Sequence, residues 1–297
     1  MILSPNSKLS NRKEYTLVLR NYPLKVGVKT KIMGIINVTP DSFSRDGLLR
    51  SKTSSTEHVV DFALKLIKFG ADILDVGGES SRPGADPISE KEESQRIIPT
   101  LKELAKKVSI PISVDTYKPL VAEKALDAGA SVINNIMGIK ENKKLLRIIA
   151  KYKAGIVLMH LKGSPKTMQK KISYKNVVKE IILELKIAIE ICLENGIKSD
   201  RIIVDPGIGF GKTLEHNITI LGNLKSFEIL DQPLLIGTSR KSFIGKVLNK
   251  DVDDRLIGSI TSACLGAFQG AHILRVHDVA QTKEALTLTD VIMQKAF

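Results

Sequence analysis

Short apolar runs recur along the chain, and polar loops and longer amphipathic stretches separate them. A strand that is buried on both faces requires continuous apolar runs of this kind, whereas a half-exposed strand alternates apolar and polar residues. The pattern predicts strands at residues 31–37, 72–76, 111–115, 131–134, 155–159, 201–205, 233–237 and 271–275. Strands that alternate regularly with helices are typical of an α/β protein with a parallel sheet.

Helical spacing and capping residues predict helices between these strands. The helix at 89–107 begins with Ser89 and Glu92 at the spacing of a capping box, and Pro99 is expected to kink it. The other helices are predicted at 54–69, 118–128, 141–151, 173–195, 214–225, 240–248, 254–269 and 279–295. Eight strand–helix units predict an α/β fold of the (β/α)8 TIM-barrel type. An open, doubly wound sheet is the alternative, because alternation alone does not show that a barrel closes.

The first part of the chain does not follow this alternation. The segments TLVLRN (16–21) and LKVGV (24–28) predict a small β-hairpin within residues 1–30, placed to cover the bottom of the barrel. No linker or low-complexity segment interrupts the remainder. We therefore expect one domain over residues 1–297, with residues 1–30 as an N-terminal hairpin extension.

Composition and charge add few constraints. Hydrophobic residues make up 43% of the 297 residues, enough for a large core, and the net charge is +13. A basic chain can bind nucleic acid, an acidic membrane or an anionic small molecule. Aromatic residues are only 4%, Trp is absent and the lysines are spread along the chain. We therefore expect small-molecule substrates, no nucleic-acid partner and no membrane partner.

The cysteines and the N-terminus bear on location. Cys192 and Cys264 are far apart in sequence and have no metal-binding spacing. The N-terminal residues lack the apolar core of a signal peptide. Reduced thiols without an export signal indicate a cytoplasmic protein.

Polar residues stand at the end of every predicted strand. They are Asn37, Asp75, Asp115, Asn134, His160, Asp205, the segment Ser239–Lys241, and Arg275 with His277. The carboxyl ends of barrel strands face the active site, so these side chains are expected to meet on one rim. A single residue of this kind could simply cap the next helix, but eight strand ends of one character indicate a site. The basic members, with Arg82, suit a diphosphate, whereas Asp115 and Asp205 suit a cationic or amidine-like group.

The segment DPGIGFGKT (205–213) looks like two nucleotide motifs and fits neither. Pro206 stands where a phosphate-binding P-loop requires Gly, and Lys212 stands where the last Gly of a dinucleotide fingerprint should be. The segment instead predicts a glycine-rich turn after a strand, which lets backbone approach a flat ligand closely.

Six segments, taken in order, resemble the dihydropteroate synthase family. They are residues 33–43 (MGIINVTPDSF), 75–84 (DVGGESSRPG), 113–116 (SVDT), 205–212 (DPGIGFGK), 237–243 (GTSRKSF) and 275–279 (RVHDV). The resemblance extends over about residues 31–295 and implies a TIM-barrel transferase of folate biosynthesis. Such an enzyme joins 6-hydroxymethyl-7,8-dihydropterin pyrophosphate to 4-aminobenzoate and releases pyrophosphate and 7,8-dihydropteroate. The pyrophosphate is thought to leave first, and the aromatic amine then attacks a pterin-methyl cation.

The resemblance also implies roles for individual residues. The catalytic residues are expected to be Asp115, Lys241 and Asp205, and the pterin site is expected to contain Asp115, Asn134, Met159, Asp205, Phe210 and Lys241. The pyrophosphate site is expected to contain Asn37, Ser81, Arg82, Arg275 and His277. The 4-aminobenzoate site is expected to contain Phe43, Ser81, Pro83, Phe210 and Ser242. Met159 and Phe210 would suit plain core packing as well. The resemblance further implies a Mg²⁺ cofactor with Asn37 as its protein ligand, and a homodimer.

Two other functions compete with this interpretation. A pterin-binding methyltransferase of the same barrel superfamily would share the Asp and Asn contacts, but it has no need of the basic Arg240–Lys241 and Arg275–His277 pairs. A non-catalytic pterin-binding scaffold would have no need of the central Asp115. The chain departs from the family pattern at Ser81, where Thr is usual, at Asn135, where Asp is usual, and in a more basic segment at 44–53.

Overall fold

A small antiparallel hairpin precedes a parallel barrel in the computed structural model, which describes residues 12–39, 56–80, 85–138, 142–163, 167–168 and 172–296. The hairpin strands are β1 (Tyr15–Leu19) and β2 (Tyr22–Val26). The barrel strands are β3 (Lys31–Asn37), β4 (Ile73–Gly77), β5 (Ile112–Asp115), β6 (Val132–Asn135), β7 (Gly155–Met159), β8 (Ile202–Asp205), β9 (Leu235–Ile236) and β10 (Ile273–Val276).

The eight barrel strands of the described residues pair in the order β8-β7-β6-β5-β4-β3-β10-β9, and every pair is parallel. A single parallel bridge between Val204 and Leu234 joins the two ends of this order. The N–H of Val204 donates to the carbonyl of Pro233 at 3.0 Å and completes the closure. The predicted TIM barrel is therefore confirmed, and the open doubly wound sheet is excluded.

Helices follow the strands around the outside. They are α1 (Thr56–Lys68), α2 (Glu90–Lys107), α3 (Pro119–Asp127), α4 (Lys143–Tyr152), α5 (Val177–Glu194), α6 (Leu214–Gly222), α7 (Ser242–Leu248), α8 (Leu256–Phe268) and α9 (Val279–Ala296). The Ser89 hydroxyl accepts the N–H of Glu92 at 3.1 Å, as the predicted cap of α2 requires, and α2 continues through Pro99. Residues 54 and 55, the start of the helix predicted at 54–69, lie outside the described residues.

Buried side chains form two separate layers. The larger one lies between the sheet and the helices, where Val60, Leu66, Leu101 and Leu146 pack against outward-facing strand residues such as Ile36. The smaller layer fills the bottom of the barrel, and it contains Leu17, Leu19, Val26, Met33, Ile73, Val132, Val157, Ile203, Leu235 and Ile273. The hairpin contributes three of these residues, so it closes the bottom as predicted, and the opposite end remains for a site. In the described part of the chain, no helix has the length and apolar character needed to cross a membrane.

Candidate active site

The carboxyl ends of four adjacent strands bring polar residues to one level of the barrel. The strand register places Asn37 opposite Gly77, Gly77 opposite Asp115, and Asp115 opposite Asn134. Because residues paired in parallel strands lie side by side, these positions form one row across β3, β4, β5 and β6. The structure therefore brings together three of the predicted site residues, which are separated by up to 97 positions in the sequence.

Arg275 of β10 links two carboxylates of this rim. Its Nε donates to Asp75 Oδ2 at 2.6 Å, and its Nη2 donates to Asp115 Oδ2 at 2.9 Å. Asn134 Nδ2 donates to the same Asp75 oxygen at 3.1 Å. Asp75 is fully buried, so it fixes the orientation of both Arg275 and Asn134 from below the rim.

Burial and the neighbouring charges shift the pKa values of Asp115 and Arg275. Burial raises the pKa of Asp115 to about 7; Arg275 and Lys241 lower it, whereas Asp75 and Glu93 raise it further. Burial would lower the pKa of Arg275, but Asp75 and Asp115 raise it above its ordinary value. The guanidinium thus remains charged, while the charge of Asp115 changes near neutral pH.

Gly77 lies beside two side-chain oxygens of the rim. A Cβ atom at this position would lie 3.5 Å from Asp115 Cβ, 3.8 Å from Asn37 Oδ1 and 3.9 Å from Asp115 Oδ2. Asn37 Oδ1 and Asp115 Oδ2 are therefore both within van der Waals reach of this one position.

A second charged group lies at the end of β8. Asp205 Oδ1 accepts the N–H of Gly207 at 2.7 Å, and burial raises the pKa of Asp205 to about 6, although that N–H, Lys241 and other cations lower it. The Nζ atom of Lys241 lies 3.8 Å from the ring centroid of Phe210, a cation–π contact. Burial lowers the pKa of Lys241 to about 8; Arg275 lowers it as well, whereas Asp205 and Asp115 raise it.

An apolar cluster forms one wall beside these charges. It contains the buried residues Ile136, Met159, Met168 and Phe210. Met159 and Phe210 are the two residues for which the sequence left a choice between a pocket wall and plain core. The cluster is separate from both main core layers and lies at the carboxyl ends of β6, β7 and β8, so the structure places both residues beside the charged rim.

The loop after β9 is built on a second set of contacts. His277 Nδ1 lies 3.0 Å from the hydroxyl of Ser239. The guanidinium of Arg240 donates to both carboxylate oxygens of Asp278, at 2.7 and 3.3 Å. Arg240 therefore stabilises the loop through Asp278, and its expected contact with a diphosphate stays a prediction. Ser242 is exposed at the first turn of α7.

Four of the predicted site residues, Phe43, Ser81, Arg82 and Pro83, lie outside the described residues, as does the basic segment at 44–53. Their expected contacts with pyrophosphate and 4-aminobenzoate therefore remain predictions. The ends of the 79–88 segment are described and are held by an ionic network. Lys118 Nζ contacts Glu79 at 2.5 Å, Glu93 at 2.6 Å and the carbonyl of Ile88 at 2.7 Å.

Sequence reasoning gave no role to several residues that the structure places in or beside the site. Asp75 was recognised only as a strand end, and its contacts with Arg275 and Asn134 join positions up to 200 residues apart. The sequence gave no individual role to Lys118 or Lys212, and both are buried. Lys118 lies two residues after the SVDT segment, and Lys212 is the last residue of the DPGIGFGK segment.

The site and the fold agree with comparisons to known proteins. A family model described as pterin binding enzyme matches residues 33–277. A dihydropteroate synthase of Clostridium beijerinckii is 42% identical over 271 residues, which cover 91% of this chain and 97% of that relative.

Two solved structures show the same architecture. The Yersinia pestis dihydropteroate synthase in complex with a sulfonamide drug has a TM-score of 0.86 at 38% identity, and the match covers 94% of this chain and 99% of that one. The Xanthomonas albilineans dihydropteroate synthase with 4-aminobenzoic acid has a TM-score of 0.86 at 37% identity, and the match covers 94% and 98% of the two chains. The chain therefore belongs to the dihydropteroate synthase family of pterin-binding enzymes, which are transferases of folate biosynthesis.

Proposed function

We propose that this protein condenses 6-hydroxymethyl-7,8-dihydropterin pyrophosphate with 4-aminobenzoate to form 7,8-dihydropteroate and pyrophosphate. The observation that carries the proposal is the position of Arg275, which joins Asp75 and Asp115 at the centre of the rim. This arrangement places a carboxylate and a guanidinium side by side. A substrate that divides into a cation and an anionic leaving group needs that pair of charges.

The pterin is held by Asp205 and Lys241 together with the adjacent apolar wall. Asp205 accepts hydrogen bonds from the amino group and ring N–H of the pterin, and its carboxylate is fixed in direction by the Gly207 N–H. Asn134 and Lys241 contact other polar atoms of the ring, and Met159 and Phe210 cover its apolar faces. A buried carboxylate is costly without a partner, so this contact selects a ligand with adjacent donors.

Asp115 stabilises the charge that develops in the reaction. The bond between the pterin methylene carbon and the pyrophosphate oxygen breaks, and its electron pair leaves with the pyrophosphate. The methylene cation that remains is stabilised by the Asp115 carboxylate. The amine nitrogen of 4-aminobenzoate then forms the new C–N bond with its lone pair, and the proton that it loses passes to the solvent. Stabilisation that exists only when the cation forms lowers the barrier without tightening substrate binding equally.

The leaving group is received by basic residues on the other side of the rim. Arg275, within β10, and His277, directly after β10, contact the pyrophosphate oxygens in this proposal, together with the predicted Ser81 and Arg82. Guanidinium groups bind such oxygens in pairs, which favours Arg275 for this role.

We also propose Asn37 as the protein ligand of a Mg²⁺ ion. Its Oδ1 and Asp115 Oδ2 both lie within 4 Å of the position that a Cβ at Gly77 would take, and both are hard oxygen donors of the type that Mg²⁺ prefers. Within the described residues no group of three His, Cys, Asp or Glu side chains could hold a metal, so water and diphosphate oxygens would supply the other ligands. When bound, the ion neutralises charge on the leaving pyrophosphate.

The 4-aminobenzoate site is proposed to lie between Phe210 and the first turn of α7. Ser242 is exposed there and can donate its hydroxyl to the substrate carboxylate. Phe43, Ser81 and Pro83 are proposed to complete this site. The carboxylate thereby faces away from the reacting amine, which must reach the methylene carbon.

The decisive experiment is a coupled assay of pyrophosphate release. Release should require both the pterin pyrophosphate and 4-aminobenzoate, and the pterin product should form in equal amount. Release from the pterin substrate alone at the same rate, or no release with both, would contradict the proposal. A filter-binding assay with DNA and RNA should show no tight, salt-sensitive complex, since the lysines are spread along the chain and aromatic residues for base stacking are few.

Two further properties belong to this proposal. We propose a homodimer, because α8 and α9 pack together and expose several large apolar side chains, namely Ile257, Leu265, Phe268, Leu288, Val291 and Ile292. We propose a cytoplasmic location, because Cys192 and Cys264 are free thiols and such thiols are usual in a reducing compartment.

A further inference from the structure

The turn that follows β8 contacts Asp205 and carries Phe210. Gly207 has a φ of +70° and directs its N–H to Asp205 Oδ1. A Cβ at Gly207 would lie 2.1 Å from the carbonyl oxygen of His160, so this turn is packed directly on the residue that follows β7. At Gly209, with a φ of +82°, a Cβ would lie 3.1 Å from the Lys241 side chain. The turn thus contacts Asp205 and Lys241 and carries Phe210, three residues of the proposed pterin site.

The ammonium of Lys212 lies inside this turn. Lys212 is 3% exposed, and its Nζ lies 2.9 Å from the Phe210 carbonyl, 3.3 Å from the His160 carbonyl and 3.1 Å from His160 Nδ1. These three acceptors match the three N–H donors of an ammonium group. The charged form of Lys212 has donors only, so in that form His160 Nδ1 accepts and Nε2, 3.7 Å from Glu184 Oε2, carries the ring proton.

We propose that Lys212 is a positioning residue for pterin binding, whose ammonium holds the Pro206–Gly211 turn against the end of β7 and thereby orients Asp205 and Phe210. The inference rests on the proposed function, because it assigns Asp205 to the pterin. Lys212 itself does not touch the substrate. Its donors are directed to the Phe210 carbonyl and to the carbonyl and ring of His160.

The charge of Lys212 gives this role a measurable signature. Burial raises the pKa of Asp205, and Lys212 is one of the cations that lower it again. Burial lowers the pKa of Lys212 to about 7, Lys241 lowers it as well, and Asp205 and Glu184 raise it. The ionisable groups that face Lys212 are therefore Asp205 on β8, His160 after β7, Glu184 on α5 and Lys241 before α7. Lys212 is not among the groups that shift the pKa of Asp115, so its removal should move the titration of Asp205 selectively.

The test compares Lys212→Met with Lys212→Arg and with Lys186→Met, the same change at an exposed lysine of α5. Binding of 6-hydroxymethylpterin is measured by calorimetry from pH 5 to pH 8, and KM and kcat are measured for both substrates. Lys212→Met should weaken pterin binding about tenfold or more, the cost of losing a charged hydrogen-bond donor in a buried site. The acid limb of its pH profile of pterin binding, which reports the protonation of Asp205, should move to higher pH by roughly half a unit or more. Lys212→Arg retains the positive charge and should keep the acid limb of the wild type.

Each outcome decides the question. If the wild type releases pyrophosphate from both substrates but Lys212→Met binds and titrates like Lys186→Met, this inference is overturned and the proposed function stands. Lys212→Met could also lose the expected pterin affinity while the acid limb of its binding profile stays where it is in the wild type. That result would overturn the inference as well, because a general loosening of the fold would then explain the loss of affinity. If Lys212→Met does not fold, Lys212→Gln is measured instead, since it keeps amide donors within the turn and removes the charge. A wild type without two-substrate activity contradicts the proposed function itself.

Discussion

Burial of Asp115 beside Arg275, Asp75 and Lys241 places its ionisation in the range where enzymes work. Its raised pKa of about 7 means that the free protein holds a mixture of charged and neutral forms near neutral pH. Protonation of Asp115 would remove the negative charge that stabilises the cation. A substrate whose reacting carbon becomes positive would in turn favour the ionised form.

Substitution of Asp115 separates its catalytic role from binding. Asp115→Asn should lower kcat by about 100-fold or more, because a carboxamide carries no charge toward the cation, while pterin affinity falls far less. Asp205→Asn is the matched comparison and should weaken pterin binding more than turnover. Steady-state kinetics and calorimetry on both variants provide the measurement. Equal losses of turnover and affinity in Asp115→Asn would show that Asp115 only binds the substrate.

The same carboxylate makes stability depend on pH. Its pKa is raised on folding, so between about pH 4 and pH 7 the native state binds more protons than the unfolded state, and stability falls as pH rises. Asp115→Asn has no carboxyl group at this position, so its stability does not fall with pH for this reason. Its free energy of unfolding should therefore increase relative to the wild type from pH 4 to pH 7, by on the order of a few kcal/mol, and then level off.

Urea unfolding at several pH values measures this difference. Asp253→Asn, the same change at an exposed position, is the control. A stability difference between Asp115→Asn and the wild type that does not vary with pH would show that burial does not raise the pKa of Asp115.

At the scale of elements, local signals predicted most of the barrel. All eight predicted strands are present within about two residues, because each is a buried apolar run. The exceptions have local causes. The predicted strand 233–237 shortens to Leu235–Ile236, since Pro233 has no N–H and only its carbonyl joins the ladder. Helix α5 begins at Val177 rather than at 173, because Asn176 caps it by accepting the N–H of Lys179.

Contacts between distant elements could not be predicted in the same way. The sequence identified Asp115 and Arg275 as rim residues, but it gave no means of finding that Asp75 holds Arg275 from below. Likewise, Lys212 and His160 meet only because β7 and β8 are neighbours, with His160 N–H donating to the Asp205 carbonyl at 2.9 Å. Strand ends indicate which residues share a rim, whereas the pairing of side chains depends on register and on packing across the barrel.

The hairpin packs against the bottom of the barrel at Gly155, where Leu19 of β1 lies against the backbone of β7. A Cβ at Gly155, the first residue of β7, would lie 2.4 Å from Leu19 Cδ2 and 3.3 Å from a Val132 methyl group. Leu19 itself is fully buried. The close approach of β1 to β7 therefore needs both a large residue at 19 and no side chain at 155.

A double-mutant cycle tests this fit. Leu19→Ala should lower the free energy of unfolding by about 2–5 kcal/mol, the cost of a buried cavity. Gly155→Ala should destabilise the wild type, but it should cost less in the Leu19→Ala background, because the methyl group then fills the space that Leu19 has left. Thr16→Ala, on the exposed face of β1, is the control and should have a small effect. Strict additivity of Leu19→Ala and Gly155→Ala would show that the two residues do not share this space.

At the scale of the whole molecule, the barrel has a distinct outer surface on the side of α8 and α9. Leu265 is 59% exposed and Leu288 is 64% exposed, although both belong to long helices that pack against each other. Several exposed apolar side chains on adjacent helices are unusual for an isolated monomer and are typical of an interface. The active site lies at the mouth of the barrel, whereas these helices lie on its outer wall.

If this surface is the dimer interface, charged substitutions on α8 and α9 should dissociate the dimer, and charged substitutions elsewhere should not. Light scattering coupled to gel filtration should give the wild type a mass of about twice 32.6 kDa. The double variant Leu265→Glu/Leu288→Glu should elute as a monomer, because burying two carboxylates against a second copy is costly. Leu183→Glu introduces the same charge at a residue of α5 that is 60% exposed, and it should remain dimeric. A monomeric wild type would refute the dimer, and a dimeric double variant would place the interface elsewhere on the barrel.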